Sequence, residues 1–473
     1  MSATTAPEKP AKKSPPNPWI GEAPPSPAGR VDSLDGLRPV PEVQLPRLLQ
    51  TLRISVRQLD FVFRARRELG EVFGVNGIIH HAAVTSHPDH VKSLFTADPA
   101  DAPSITGESP LRPIVGPNST LTALGERHMR QRKLMLPHFH GKAVERYVAM
   151  IEEATHREID RWPVGTPFQL APRMQAITLD VIMSGIFGVP GKAERGTPEH
   201  RLRQVLRRLV WLSTQPISQL GELLNTGSSE PVGPTKTALG VLDRATYAII
   251  DARREQDLEG RNDILSLLLQ TTDDDGTPLT RRELRDELLT LVLAGHETTA
   301  NSLAWTFERL VRTPAAYERL RDATRSGEDS TEVVEATIYE GMRSRPVIPI
   351  IGRRVAVPWR LGDYGVEAGR PVLMSILLVH HRPDLYPEPY AFRPERFIGH
   401  KPGTYEWIPF GGGIRRCLGA SLAMAEQKVV LEAVARRTDM AAADPEPERV
   451  VHRNVTMIPA RGATVVVRDR RPA

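Results

Sequence analysis

Phe410-Gly411-Gly412-Gly413-Ile414-Arg415-Arg416-Cys417-Leu418-Gly419 carries the chain's only cysteine out of a glycine-rich loop and into the start of a helical pattern. Free backbone N–H groups and the positive end of a helix dipole favour negative charge, so this placement favours a thiolate over a thiol. Glycines allow a tight turn and a close approach to a flat cofactor, and Arg415 is placed to pair with a carboxylate at its edge. A lone cysteine in a helix interior is usually a small buried hydrophobe, but the loop context here favours chemistry. With one cysteine the chain has no internal disulfide, no paired-cysteine zinc site and no iron–sulfur cluster.

Outward from this loop, a helix is predicted from Leu418 to about Arg437 and a closing strand from Ala463 to Arg468. Upstream lie a proline-rich coil from Pro383 to Pro394, turn residues around Gly362 to Gly369, and a β-type run from Arg370 to Leu378. From about residue 140 to 345 the apolar spacing is helical, with turn signals around Gly227 to Gly233 and Asp273 to Gly276. The clearest helix starts at a capping box, Thr280 with Glu283, and runs to Pro314, roughly 50 Å at 1.5 Å per residue, long enough to be a central beam. It contains Ala294-Gly295-His296-Glu297-Thr298-Thr299. Gly295 costs about 1 kcal/mol there relative to alanine, and a Glu-Thr pair among apolar residues packs poorly, so a compensating role is expected. His296-Glu297 lacks the second histidine of a zinc protease, since Thr299 or Ala300 stands in its place. A further helix from about Thr331 to Arg345, stopped by Pro346, carries Glu340 and Arg343 three residues apart.

The 473 residues, 40% of them apolar, can bury a large core. Residues 1–30 hold eight prolines and read as a flexible tail, leaving 31–473 as one folding unit. No apolar run is long enough to span a bilayer and the N-terminus lacks a basic-then-apolar signal peptide, so a cytoplasmic protein is expected. The balance of 62 basic to 57 acidic residues is near even. Arg201, Arg203, Arg207 and Arg208 read as a solvated helix face, with no nucleic-acid partner. Asp273 to Asp275 lack the spacing of a calcium loop, and Arg416 occupies the third glycine position of a dinucleotide fingerprint.

Phe410, Gly413, Arg415, Cys417 and Gly419 match, position by position, the haem-binding signature of the cytochrome P450 family, and on those residues the chain resembles it. The resemblance implies a mainly α fold with small β-sheets, triangular in outline, with a long central helix and a Cys-bearing loop under the haem. It makes Cys417 the axial iron ligand of haem b, whose electron donation favours O–O cleavage. Ala294 to Thr299 resembles the family's oxygen-activation motif: Gly295 would make room for haem and dioxygen, Thr298 would hydrogen-bond bound oxygen, and Glu297 would relay protons. Glu340, Arg343 and Arg396, the last within Phe392-Arg393-Pro394-Glu395-Arg396-Phe397, match a structural triad serving folding and haem retention. Arg353, His128 and Arg132 fall where haem propionates are bound, His128 introducing a pH-sensitive contact. Ala294, Gly295, Phe410, Gly411, Arg415 and Gly419 complete the expected haem surroundings. Leu293, Val347, Ile348, Ile350, Ile351 and Met457 are expected to line an apolar pocket for a fatty acid, terpenoid or steroid.

The implied reaction inserts one atom of dioxygen into that substrate. Only 56 residues follow Cys417, too few for a reductase domain, so electrons are expected from a separate ferredoxin with its reductase, or a flavodoxin, reaching a monomer. Arg415, Arg416, Lys401 and Lys428 are expected to offer that partner a basic surface. Two other readings stand beside this one: a haem-thiolate isomerase or peroxygenase that does not activate dioxygen, and a non-catalytic haem sensor.

Overall fold

The computed structural model describes residues 17–77, 81–189, 194–213, 230–453 and 455–472. The Thr280 capping box forms as expected: Thr280 Oγ1 accepts the Glu283 N–H at 3.2 Å while the Glu283 carboxylate accepts the Thr280 N–H at 2.8 Å. The helix it starts runs Arg281–Val311, 31 residues. It is buried nearly all round, as a helix in the middle of a domain must be. Its first half packs Leu284, Leu288, Leu289 and Val292 into a core with Leu134, Phe187 and Ile249. Its second half packs Ala300, Leu303, Ala304, Phe307 and Leu310 into another with Ile151, Trp162 and Val430. Between the halves burial lapses: Leu293 is half-buried and Ala294 exposed.

The Glu340 helix spans Thr331–Ser344 and ends before Pro346. Glu340, Arg343 and Arg396 are all fully buried. Glu340 receives Arg343 Nε at 2.6 Å and Nη2 at 2.8 Å, the Arg393 N–H at 2.7 Å, and lies 3.5 Å from Arg396 Nε. Arg343 also donates to the carbonyls of His380, Pro389 and Ala391. A pair that would be nearly neutral on a surface thus becomes the clamp that fixes the coil 388–396.

Four strands form the main sheet in the order Val72–Asn76, His81–Thr85, Pro371–Ser375, Ile350–Arg354, parallel only at its centre. The Arg370 to Leu378 run is therefore strand only as far as Ser375. Ser375 accepts the Leu378 N–H through its hydroxyl and caps a short helix, Ile376–His380. The helix after the cysteine is Ala420–Arg437 and the closing strand Thr464–Arg470. Of the turn expected at Gly227 to Gly233, residues 227–229 lie outside the described residues. The Asp273 turn is ordered by Arg130, whose Nε lies 2.7 Å from the carboxylate.

Part of the expected flexible tail is corrected. Residues 1–16 lie outside the described residues, but Ala28–Arg30 pairs antiparallel with Trp359–Leu361. Arg396 Nη1 donates to the Trp19 carbonyl at 3.0 Å, Asn17 Nδ2 donates to the Arg396 carbonyl at 2.7 Å, and Arg393 stacks 4.3 Å from the Trp19 ring. Composition missed this because the partners are distant in sequence, 63 residues away for Ser26 with Asp89 and 377 for Trp19 with Arg396. No helix among the described residues is long and apolar enough to cross a membrane.

Candidate active site

The cysteine loop is shaped by its glycines. Gly411 and Gly413 hold φ of 66° and 61°, a region other residues rarely enter. A Cβ at Gly412 would overlap the Phe95 ring, and one at Gly413 the Phe95 carbonyl. The close approach at those two positions is thus to Phe95, a residue the sequence did not flag, while Gly419 borders open space. Phe410 packs edge-on to Trp407 at 6.0 Å, and its carbonyl accepts the Cys417 N–H at 2.9 Å, closing the loop.

Cys417 is reachable by water, yet protein surrounds it so closely that burial pushes its thiol pKa up. The Gly419 N–H, Arg416 and Arg132 pull the other way without prevailing. The loop and helix dipole therefore do not outweigh burial at this side chain. A coordinating cation deprotonates it outright.

Arg132 from helix Gly125–Met135 acts on this thiol, and with it cluster His128 of the same helix, Arg353 from strand Ile350–Arg354, and Arg415. Among the described residues none of the four is paired with a carboxylate. Burial lowers Arg353 to about 10, and burial with the nearby Arg353 and Arg132 lowers Arg415 to about 10. Burial, then Arg415, Arg132 and Arg353, pushes His128 down to about 4. Arg353 makes only a 3.2 Å bond to its neighbour's carbonyl, Gly352. Arg132 donates to the Arg416 carbonyl at 2.9 Å. Arg415 turns inward, donating to the carbonyls of Thr120 (3.2 Å) and Ala123. Uncompensated buried cations are costly, and this cluster fits a group bringing two carboxylates to a thiol, as haem b does.

On the central helix, Ala294 and Thr298 lie one turn apart, Thr298 Oγ1 donating to the Ala294 carbonyl. Gly295 does not open the cleft as expected: a Cβ there would lie 3.1 Å from Ile182 Cδ1, so the glycine serves the crossing with helix Leu170–Phe187, and Ala294 is the exposed residue. His296 is buried, its Nδ1 2.8 Å from Thr178 Oγ1, and burial holds its pKa down to about 4. Glu297 is the residue the sequence left unpartnered. Its Oε1 receives Arg453 Nε at 2.8 Å and Nη2 at 2.7 Å, and Thr456 Oγ1 at 3.3 Å. Arg453 and Thr456 close the hairpin Val450–Arg453/Thr456–Pro459, and no local sequence signal could have found a pair 156 residues apart.

Of the expected pocket residues, Leu293, Ile348, Ile350 and Ile351 are half-buried and Val347 is buried at 9% exposure. Met457 is corrected. It is fully buried, packed with Leu377 and Leu378, and its N–H donates to the Val347 carbonyl at 2.7 Å, so its side chain belongs to the core. The expected basic docking surface also thins: Arg415 faces inward and Lys428 lies 4.0 Å from Glu335, leaving Arg416 and Lys401 exposed.

Comparison with known proteins agrees with this geometry. The family model described as Cytochrome P450 matches residues 39–466. The Mycobacterium tuberculosis H37Rv protein named "Putative cytochrome P450 137" is 38% identical over 392 residues, 82% of this chain and 81% of its own length. "Putative cytochrome P450 138" of Mycobacterium bovis is 35% identical over 433 residues, 91% of this chain and 96% of its own. The solved structure of retinoic acid bound cyanobacterial CYP120A1 shares the fold at a TM-score of 0.76 and 24% identity, covering 92% of this chain and 100% of that one. With the cysteine loop, the cation cluster and the buried triad all in place, the chain belongs to the cytochrome P450 family of haem-thiolate monooxygenases, which hold haem b and use dioxygen.

Proposed function

We propose that this enzyme inserts one oxygen atom into a small lipophilic substrate with electrons delivered by a separate, acidic redox protein. The observation that carries the reading is one reachable thiol, Cys417, beside Arg132, whose cluster with His128, Arg353 and Arg415 has no carboxylate of its own among the described residues. Cys417 would hold the iron, while Arg132, Arg353 and His128 would hold the propionates. When bound, the haem supplies the chemistry of dioxygen reduction and cleavage. Thr298 offers a hydroxyl that can turn from the Ala294 carbonyl to donate into the cleft, and Glu297, held by Arg453, is the carboxylate available to resupply that proton. Leu293, Val347, Ile348, Ile350 and Ile351 supply apolar walls, which support a lipophilic substrate. The exposed Arg416, one residue from the cysteine, with Lys401, supports an acidic electron donor docking on that side.

The test is the carbon monoxide difference spectrum of the reduced protein, as wild type and as Cys417→Ser. A red-shifted Soret band in the wild type alone is expected, and its absence from the wild type overturns the assignment. Spectral titration with fatty acids, terpenoids and steroids is expected to give saturable shifts; a response to polar compounds only would refute the substrate class. Electron transfer from an acidic ferredoxin is expected to slow steeply with added salt, and salt-independent rates would refute the docking surface.

A further inference from the structure

Arg415 stands beside Arg353 and Arg132, and their mutual repulsion must be resisted if Arg415 is to keep one orientation. What holds it is the segment 116–123, whose Thr120 and Ala123 carbonyls accept both terminal nitrogens of its guanidinium. That segment is in turn fastened to the first turns of the central helix by two consecutive carboxyl groups. Asp286 accepts the Asn118 N–H at 3.2 Å and its Nδ2 at 3.0 Å. Glu287, 1% exposed, accepts both the N–H of Thr120 at 2.7 Å and its hydroxyl at 2.8 Å on the single oxygen Oε1. Its Oε2 is buried without a partner among the described residues. Thr120 therefore takes Glu287 on one side and passes its carbonyl to Arg415 on the other.

From this chain of contacts, and resting on the haem-thiolate reading above, we propose that Glu287 is a positioning residue for haem: through Thr120 it fixes the Arg415 guanidinium in the cation cluster. A buried carboxyl suits the task. Burial pushes its pKa up to about 8, so at neutral pH it holds the segment by hydrogen bonds without adding a negative charge that would compete with propionates for the cluster.

The experiment is haem transfer from the holoenzyme to an excess of apomyoglobin, comparing wild type, Glu287→Gln, Glu287→Ala, Thr120→Val, Arg415→Gln and the double variants with Arg415→Gln. Loss of both Thr120 contacts is expected to speed haem release about tenfold in Glu287→Ala, the worth of one or two buried hydrogen bonds. Glu287→Gln, which keeps a carbonyl oxygen at the position of Oε1, is expected to stay within about threefold of wild type, and Thr120→Val to fall between the two. In the Arg415→Gln background neither Glu287→Ala nor Thr120→Val is expected to accelerate release further, because the group they position is gone. An equal acceleration in that background would mean general loosening of the core and would overturn the inference, as would a Gln variant no better than Ala. Should Glu287→Ala fail to fold, Thr120→Val alone decides, by the same comparison. A wild type that takes up no haem overturns the site reading and this inference together, whereas haem-loaded variants that all release at the wild-type rate overturn this inference only.

Discussion

Replacing Glu340 with Gln removes one negative charge from a place with no water to compensate. The carboxylate accepts from Arg343 twice, from the Arg393 N–H and lies against Arg396, and all three triad side chains are fully buried. The variant leaves two guanidinium groups in the core without a counter-charge. Breaking a buried pair by removing one partner costs about 3–5 kcal/mol, against a total stability on the order of 5–15 kcal/mol for a folded domain. The folded-to-unfolded ratio is then expected to fall by about a hundred- to a few-thousand-fold. Urea unfolding followed by tryptophan fluorescence reports it. Trp19 stacks on Arg393 and Trp407 Nε1 donates to the Tyr339 carbonyl at 3.0 Å, so both rings neighbour the clamp. The variant is also expected to purify with less haem, because the coil 388–396 leads into the cysteine loop. A cost below about 1 kcal/mol, the value of an exposed ion pair, would refute the argument that the triad clamps this coil.

Stability of the holoenzyme is expected to fall on both the acid and the alkaline side of neutrality. Burial lowers His90 and His380 to about 3, His296 to about 4 and His381 well below its ordinary value, so these four add stability above pH 6.5 that is lost as pH falls below it. Burial raises Glu287 and Glu426 to about 8, so their stability is full below pH 4.5 and lost as pH rises toward 8. The histidines therefore weaken the fold on the acid side and the two glutamates weaken it on the alkaline side. A urea midpoint still climbing at pH 8 would contradict this. Gly412→Ala, whose Cβ would overlap the Phe95 ring, is expected to cost about 1–3 kcal/mol and to weaken haem retention; an unchanged midpoint would show that the loop is not pressed on Phe95. Arg453→Gln and Glu297→Gln are expected to be non-additive in unfolding free energy by about 1 kcal/mol, and additivity would mean the pair does not form in solution.

The parts of this protein that were legible beforehand rest on short-range physics. The capping box at Thr280, the stop before Pro346 and the glycine loop before Cys417 each work within a few residues, so their sequence reports them directly. What escaped notice are long-range substitutions of partner. The proline-rich stretch around Trp19 looked unable to order itself, because its stacking and hydrogen-bond partners come from distant residues such as Asp89, Trp359 and Arg393. Gly295 looked like an opening for a ligand, but the chain crossing it supplies Ile182 at that spot.

Sequence alone thus determined the family and singled out Cys417 as the proposed iron ligand, because both depend on a spaced signature with local geometry. Only the tertiary structure decided that Arg453 holds Glu297, that Glu287 reaches Arg415 through Thr120, that Met457 is fully buried, and that burial raises the Cys417 thiol pKa. The reason is physical: burial and pairing are properties of which distant segments meet, and the same side chain is acid or base, lining or core, according to that meeting.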